Sequence, residues 1–162
     1  MSQPAIPLAE FDQEMATTRR LLERVPGDKG AWKPHAKSFP LGHLAQLVSS
    51  MPGWIGWSLR STELDLAEAE GYGFHATERL IERFDQNVRE SREALASVVG
   101  DKLEVTWSLK RGGHVLMSVP RGEVVRQHLS HLIHHRGQLT VYLRLLDVPI
   151  PSIYGPTADE KW

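Results

Sequence analysis

The chain has 162 residues, 41% of them hydrophobic and 24% charged, with a formal net charge of -1 and no cysteine. That length fits one domain, residues 1–162, able to bury a core without staples. The charge gives no electrostatic case for nucleic-acid binding, and the missing cysteines exclude disulfides, thiolate metal sites and a cysteine nucleophile.

The N-terminus, MSQPAIPLAEFDQ, lacks the basic and apolar runs of a signal peptide, and no stretch approaches the roughly 20 apolar residues that span a bilayer. A cytoplasmic protein without a membrane partner is expected. Leu8 to Arg24 reads as a first helix, with Leu8, Phe11, Met15 and Leu22 at helical spacing and Pro26-Gly27 closing it. The following DKGAWKPHAKSFP has no periodicity and reads as a loop pinned by Trp32 and Phe39. A second helix begins near Pro40 or Leu41, with Ser38 available as its cap. Leu44, Leu47, Val48, Met51, Ile55 and Leu59 give it a broad apolar face. Pro52 and Gly53 predict a kink or a break in its middle, because proline removes a backbone donor and crowds the preceding turn. Trp54 and Trp57 follow at once and can either pack in the core or line a pocket.

The acidic TELDLAEAEGYGFHA reads as a solvated connection. Helix three is expected from Thr77 to Val99, with Leu80, Ile81, Phe84, Val88, Leu95, Val98 and Val99 inside and a charged face outside. Alternation in LEVTWSLK, a Gly112-Gly113 turn and HVLMSV then predict a hairpin, which must pack on the helices to persist. The last helix fills Arg121 to Leu146, and the tail DVPIPSIYGPTADEKW is extended. The expected fold class is all-α: an up-down four-helix bundle with a small β-hairpin between helices three and four.

Four of the eight histidines fall in the last helix: His128, His131, His134 and His135. At about 100° per residue, His128, His131 and His135 share a face with Val124, Val125, Leu132, Leu139 and Leu143, while Arg126, Arg136 and Arg144 lie to the sides or rear. Imidazoles in an apolar stripe need partners for their nitrogens. His131 and His135, four residues apart, could share one divalent ion, with His43 of helix two offering a third nitrogen; ordinary hydrogen-bonded core histidines fit the same pattern. No glutamate follows His131, which excludes the metalloprotease helix. Three neutral nitrogens and an open position would suit Zn, Ni or Fe acting on a water or a thiol.

With its HxxHHRGQ motif, YLR, Val-Pro turn and YGP tail, SHLIHHRGQLTVYLRLLDVPIPSIYGP resembles the DinB-like family (the DinB/YfiT-type metal-dependent hydrolases), and the resemblance extends to WKPHAKS and MPGW. It implies a four-helix bundle, commonly a homodimer, with a divalent metal ion held by three histidines, two of them at His131 and His135. Some members are thiol S-transferases that use a low-molecular-weight thiol. The family's helix-two histidine aligns with Leu47; His43 stands one turn earlier, roughly 6 Å along the axis, and it or His128 is the remaining candidate. The resemblance leaves the catalytic residues open and suggests Trp54, Trp57, His128, Arg136 and Tyr154 as pocket neighbours. The function expected is a divalent-metal-dependent hydrolase or thiol S-transferase; the alternative is a non-catalytic bundle whose degenerate site serves dimerisation or ligand binding.

Overall fold

The computed structural model describes residues 5–69, 71–98 and 100–161. Four helices, α1 (Leu8–Leu22), α2 (Leu41–Arg60), α3 (Thr77–Ser97) and α4 (Arg121–Leu145), enclose a core centred on Phe11, Leu44, Val48, Met51, Phe84, Leu132 and Leu139. Three strands accompany them: β1 (Glu63–Asp65), β2 (Thr106–Arg111) and β3 (His114–Pro120). Val99, assigned above to the inner stripe of helix three, lies outside the described residues.

Two parts of the expected fold class need correction. The molecule is not all-α. β2 and β3 form the expected hairpin, but β1 joins β2 in parallel, giving a mixed three-stranded sheet in the order β1-β2-β3. β1 comes from the acidic segment read as a solvated connection, where Glu63-Leu64-Asp65-Leu66 already alternates. Asp65 fixes the arrangement. Its carboxylate accepts the backbone N–H groups of Gly112 and Gly113 at the hairpin turn, at 2.8 and 2.7 Å, and of Ala67 at 2.9 Å. Both turn glycines have φ of +57° and +81°, the left-handed backbone that a two-residue hairpin turn requires.

Nor is the bundle up-down throughout. Gly53 and Gly56 of α2 lie against Asn87 and Ser91 of α3, so α2 and α3 run parallel. Arg19 pairs with Asp85 and Arg92 with Asp12, which sets α3 antiparallel to α1. Ser58 meets His128, and Trp54 meets His131, which sets α4 antiparallel to α2. The order is therefore up, down, down, up. The 61–76 connection is long enough to return along the bundle, and β1 is part of that return.

Close approach of α2 and α3 also explains why Pro52 does not break its helix, which is continuous from Leu41 to Arg60. The Ser91 hydroxyl donates to the Pro52 carbonyl at 2.5 Å and accepts from the Gly56 amide at 3.1 Å, standing between two groups an undisturbed ladder would pair. The Asn87 amide donates to the Ser49 carbonyl at 3.1 Å, adding a second tie between the two helices one turn earlier. A Cβ at Gly56 would meet Ser91 Oγ at 2.6 Å, so only glycine admits this contact.

In α4 the buried row is Val125, Leu129, Leu132, Arg136, Leu139 and Leu143. The expected stripe is rotated by about one position: Arg136, placed above at the sides or rear, is in the core at 1% exposure, and the histidines occupy the rim. Two rows of the same spacing run along this helix, and burying the arginine decides between them. Among the described residues no helix is long and apolar enough to cross a membrane.

Candidate functional site

Helix α4 presents its histidines to α2 and to the sheet. His128 is the deepest. Its Nε2 shares a 3.0 Å hydrogen bond with the Ser58 hydroxyl, and its ring meets Trp54 and Trp107 edge-on, centroids 5.7 and 6.3 Å away. Burial, reinforced by His131, pushes its pKa down to about 4, so it is neutral near pH 7. Trp107 reaches this place because the alternation of β2 turns it inward, and its indole N–H donates to Ser61 Oγ at 3.2 Å.

One turn along, His131 tilts against Trp54, centroids 6.0 Å apart, and its Nε2 stands 2.9 Å from Nε2 of His135. His135 Nδ1 in turn shares a 2.6 Å hydrogen bond with Gln138 Oε1. An imidazole pair bonded through nitrogen carries one proton between two lone-pair positions, and a cation that bound both nitrogens would displace it. Burial, together with the neighbouring His135 and His134, lowers the pKa of His131, which favours the unprotonated ring a metal needs. His134 stacks edge-on against His135 on the exposed side.

The structure does not bring His43 to this pair. Its ring is stacked between Phe39 and Tyr72, centroids 4.3 and 4.4 Å away. The antiparallel register that joins Ser58 to His128 and Trp54 to His131 carries Leu47 to the level of Gln138, about a turn beyond His135, and His43 a turn further, to the level of Tyr142. Leu47 is buried in the core cluster. Among the described residues, no three side chains of His, Asp or Glu are grouped so as to hold a metal ion. The residues present thus offer two ligands and fall short of the three-histidine centre.

The other expected pocket residues separate. Trp54 is in the site. Trp57, half exposed, donates its indole N–H to the Glu63 carbonyl at 3.4 Å, away from the histidines. Arg136 points through the core to α1, where it meets Glu14 and Thr18, and the Tyr154 hydroxyl closes over that pair. Ser58, Trp107 and Gln138 were absent from the expected site. Ser58 sits one turn after Trp54 on the same face, a signal present in the sequence; the strand that delivers Trp107 gives no hint of its partner.

A small four-helix bundle with a mixed sheet across one end and an i,i+4 histidine pair on its last helix defines a histidine-rimmed bundle protein. Its family follows from comparison: the DinB family model matches residues 1–161, and the chain belongs to the DinB family. It is 25% identical over 160 residues to the uncharacterized protein YrdA of Bacillus subtilis (strain 168), covering 96% of this chain and 89% of that one. The fold is similar to the crystal structure of the DinB-like protein YjoA from Bacillus subtilis, with a TM-score of 0.69 at 16% identity, covering 95% of this chain and 98% of that chain. A DinB-like protein from Bacillus cereus ATCC 10987 superposes with the same TM-score at 20% identity, covering 91% and 95%.

Proposed function

We propose that this DinB-family protein binds a divalent transition-metal ion through His131 and His135 alone, leaving the remaining coordination positions to water or a small ligand. The observation that carries this reading is the 2.9 Å approach of the two Nε2 atoms at the rim, with His135 oriented through its other nitrogen by Gln138. Such second-partner orientation is usual for ligating imidazoles. When bound, the ion would supply Lewis acidity and a lowered pKa to whatever oxygen or sulfur ligand joined it. His128, neutral and fixed by Ser58, Trp54 and Trp107, forms the inner wall beside it.

With no third ligand grouped with the pair among the described residues, the reading favoured is a ligand-binding member with a reduced, low-affinity metal site. The family's hydrolase or thiol S-transferase chemistry would need the small ligand itself to supply the third donor, which a thiolate can do.

Calorimetric titration of untagged protein with Ni²⁺ and Zn²⁺ tests this. One weak site is expected, lost in His131→Ala and in His135→Ala, with the helical circular dichroism unchanged by chelator. Uptake that survives both substitutions, or no uptake at all, refutes the reading. A low-molecular-weight thiol that tightens metal binding, together with turnover of a thiol acceptor, would restore the enzyme reading.

A further inference from the structure

A concavity of about 410 Å³ adjoins the histidine pair, between α4 and the loop that leads into α2. His135 and Gln138 stand at one end, Val141 and Tyr142 continue along α4, and Lys37 and Phe39 belong to the loop wall. Both walls are held in place. The Tyr142 hydroxyl donates to the Phe39 carbonyl at 3.2 Å, and the Tyr142 ring meets Trp32 edge-on, centroids 5.8 Å apart. The Phe39 ring lies flat on His43, 5° from parallel with centroids 4.3 Å apart. His43, remote from the metal pair, thus backs one wall of this concavity.

Apolar surface is left in water here. Phe39 is 46% and Val141 57% exposed, and both line the same hollow. Exposed apolar groups gathered in a concave place, with a few polar groups among them, are the usual make-up of a small-molecule site. The charge is one-sided. Lys37 is the only Lys or Arg among the described lining residues, and none of them is Asp or Glu. Its ammonium takes part in no ion pair with a neighbouring Asp or Glu among the described residues.

We infer that this concavity binds a small carboxylate with a flat aromatic body. The carboxylate meets the Lys37 ammonium, and the ring lies against Phe39 and Val141, joining a charge pair to apolar and ring–ring contact. The role of such an occupant rests on the metal site proposed above, since it lies beside His135, where it would be the small ligand next to a bound ion. Its binding does not depend on the ion.

Amide NMR of the full, metal-free chain, titrated separately with phenylacetate, acetate and benzylamine, tests the inference. Acetate keeps the carboxylate without the ring, and benzylamine keeps the ring with the opposite charge. Saturable shifts are expected at residues 37–39 and 135–142 with phenylacetate, at least tenfold tighter than with either of the others. Lys37→Glu and Val141→Asp, both at exposed positions, should each weaken phenylacetate binding at least tenfold and leave the melting temperature unchanged. Equal binding of acetate or benzylamine, shifts confined to other residues, or phenylacetate binding untouched by Lys37→Glu overturns it. Nickel titration of the same proteins separates the two sites. No response to phenylacetate from a chain that takes up nickel overturns this inference and leaves the metal reading standing. Phenylacetate binding that persists in His131→Ala, with nickel uptake gone, supports a pocket that forms without the ion.

Discussion

Arg136 and Glu14 form an ion pair of 2.7 Å whose side chains are 2% and 10% exposed, linking the middle of α4 to the middle of α1. The guanidinium also donates to the Glu14 carbonyl, to Thr18 Oγ1 and to the Tyr154 hydroxyl, which in turn donates to the Glu14 carboxylate. The Tyr154 ring covers the guanidinium at 5.2 Å. Every member of this set has a partner, and the Arg136–Glu14 pair at its centre is buried, the condition under which such a network is tolerated.

Removing one member should therefore be costly. Glu14→Ala leaves a buried cation and is expected to destabilise by about 3–5 kcal/mol. Tyr154→Phe removes one donor to a charged group at a largely exposed residue and should cost about 1 kcal/mol. Replacing both charges, with Glu14→Leu and Arg136→Met together, should recover most of the single-variant loss, because no charge is stranded. Urea unfolding of the four proteins measures this; a double variant less stable than Glu14→Ala would contradict it.

At the crossing of α2 and α3, Ser91→Ala strands the Pro52 carbonyl and the Gly56 amide, both inside the protein. The expected loss is about 1–3 kcal/mol, the penalty for a buried group left unpaired. Gly56→Ala should cost a similar amount by pushing α3 away, since the new Cβ meets the short, fixed Ser91 rather than a flexible chain end. Stability of Gly56→Ala equal to the parent would mean that the helices can separate freely.

A pH effect follows from His128. Burial holds its folded pKa at about 4, against 6.5 when exposed. Between those values the unfolded chain binds a proton that the folded chain refuses, so stability is retained above pH 6.5 and lost as pH falls toward 4. The loss attributable to this one residue is on the order of 3 kcal/mol. Asp65, Asp159 and Glu160, whose pKa values are lowered by hydrogen bonds from backbone and arginine donors, add to the acid loss at lower pH. The comparison that isolates His128 is His128→Gln, whose stability should fall less steeply between pH 6.5 and 5. Parallel curves for the two proteins would rule out the assignment.

How much of this could be read from the chain alone differs by element. The four helices carry strong 3.6-residue periodicity, and the Gly112-Gly113 hairpin turn is marked by its composition; both emerge as expected. β1 is three residues long, and what makes it a strand is an Asp65 carboxylate gripping a turn some 47 residues away, which no local pattern reports. The direction of α3 depends on the path of the 61–76 return and on Gly53 and Gly56, so it too is a long-range fact. At the site, i,i+4 spacing alone brings His131 and His135 together. Whether His43 or Leu47 faces them depends on the register between α2 and α4, fixed by contacts such as Ser58 with His128. The inward turn of Arg136 was hidden for a simple reason: its partner is 122 positions earlier, and a charged residue in an apolar row looks like the edge of the row.

The histidine pair leads to a last prediction, made at Leu47. That side chain is 6% exposed, on the same α2 face as Trp54 and two turns before it, at the level of Gln138, the partner of His135. A histidine there would bring a third imidazole to the place where the chain now has an apolar wall, whereas His43 is held a turn away by Phe39 and Tyr72. The substitution to make is therefore Leu47→His. In the absence of metal it should lower the melting temperature, because a core leucine is exchanged for a ring that must find partners. With zinc the order should reverse. An ion at 100 times its dissociation constant stabilises by about 2.7 kcal/mol, so a tighter three-nitrogen site should respond at zinc concentrations that barely shift the parent. Adding His131→Ala to Leu47→His should abolish the response, while adding His43→Ala should leave it intact. A Leu47→His protein indifferent to zinc, or one whose response depends on His43, would mean that position 47 does not face His131 and His135.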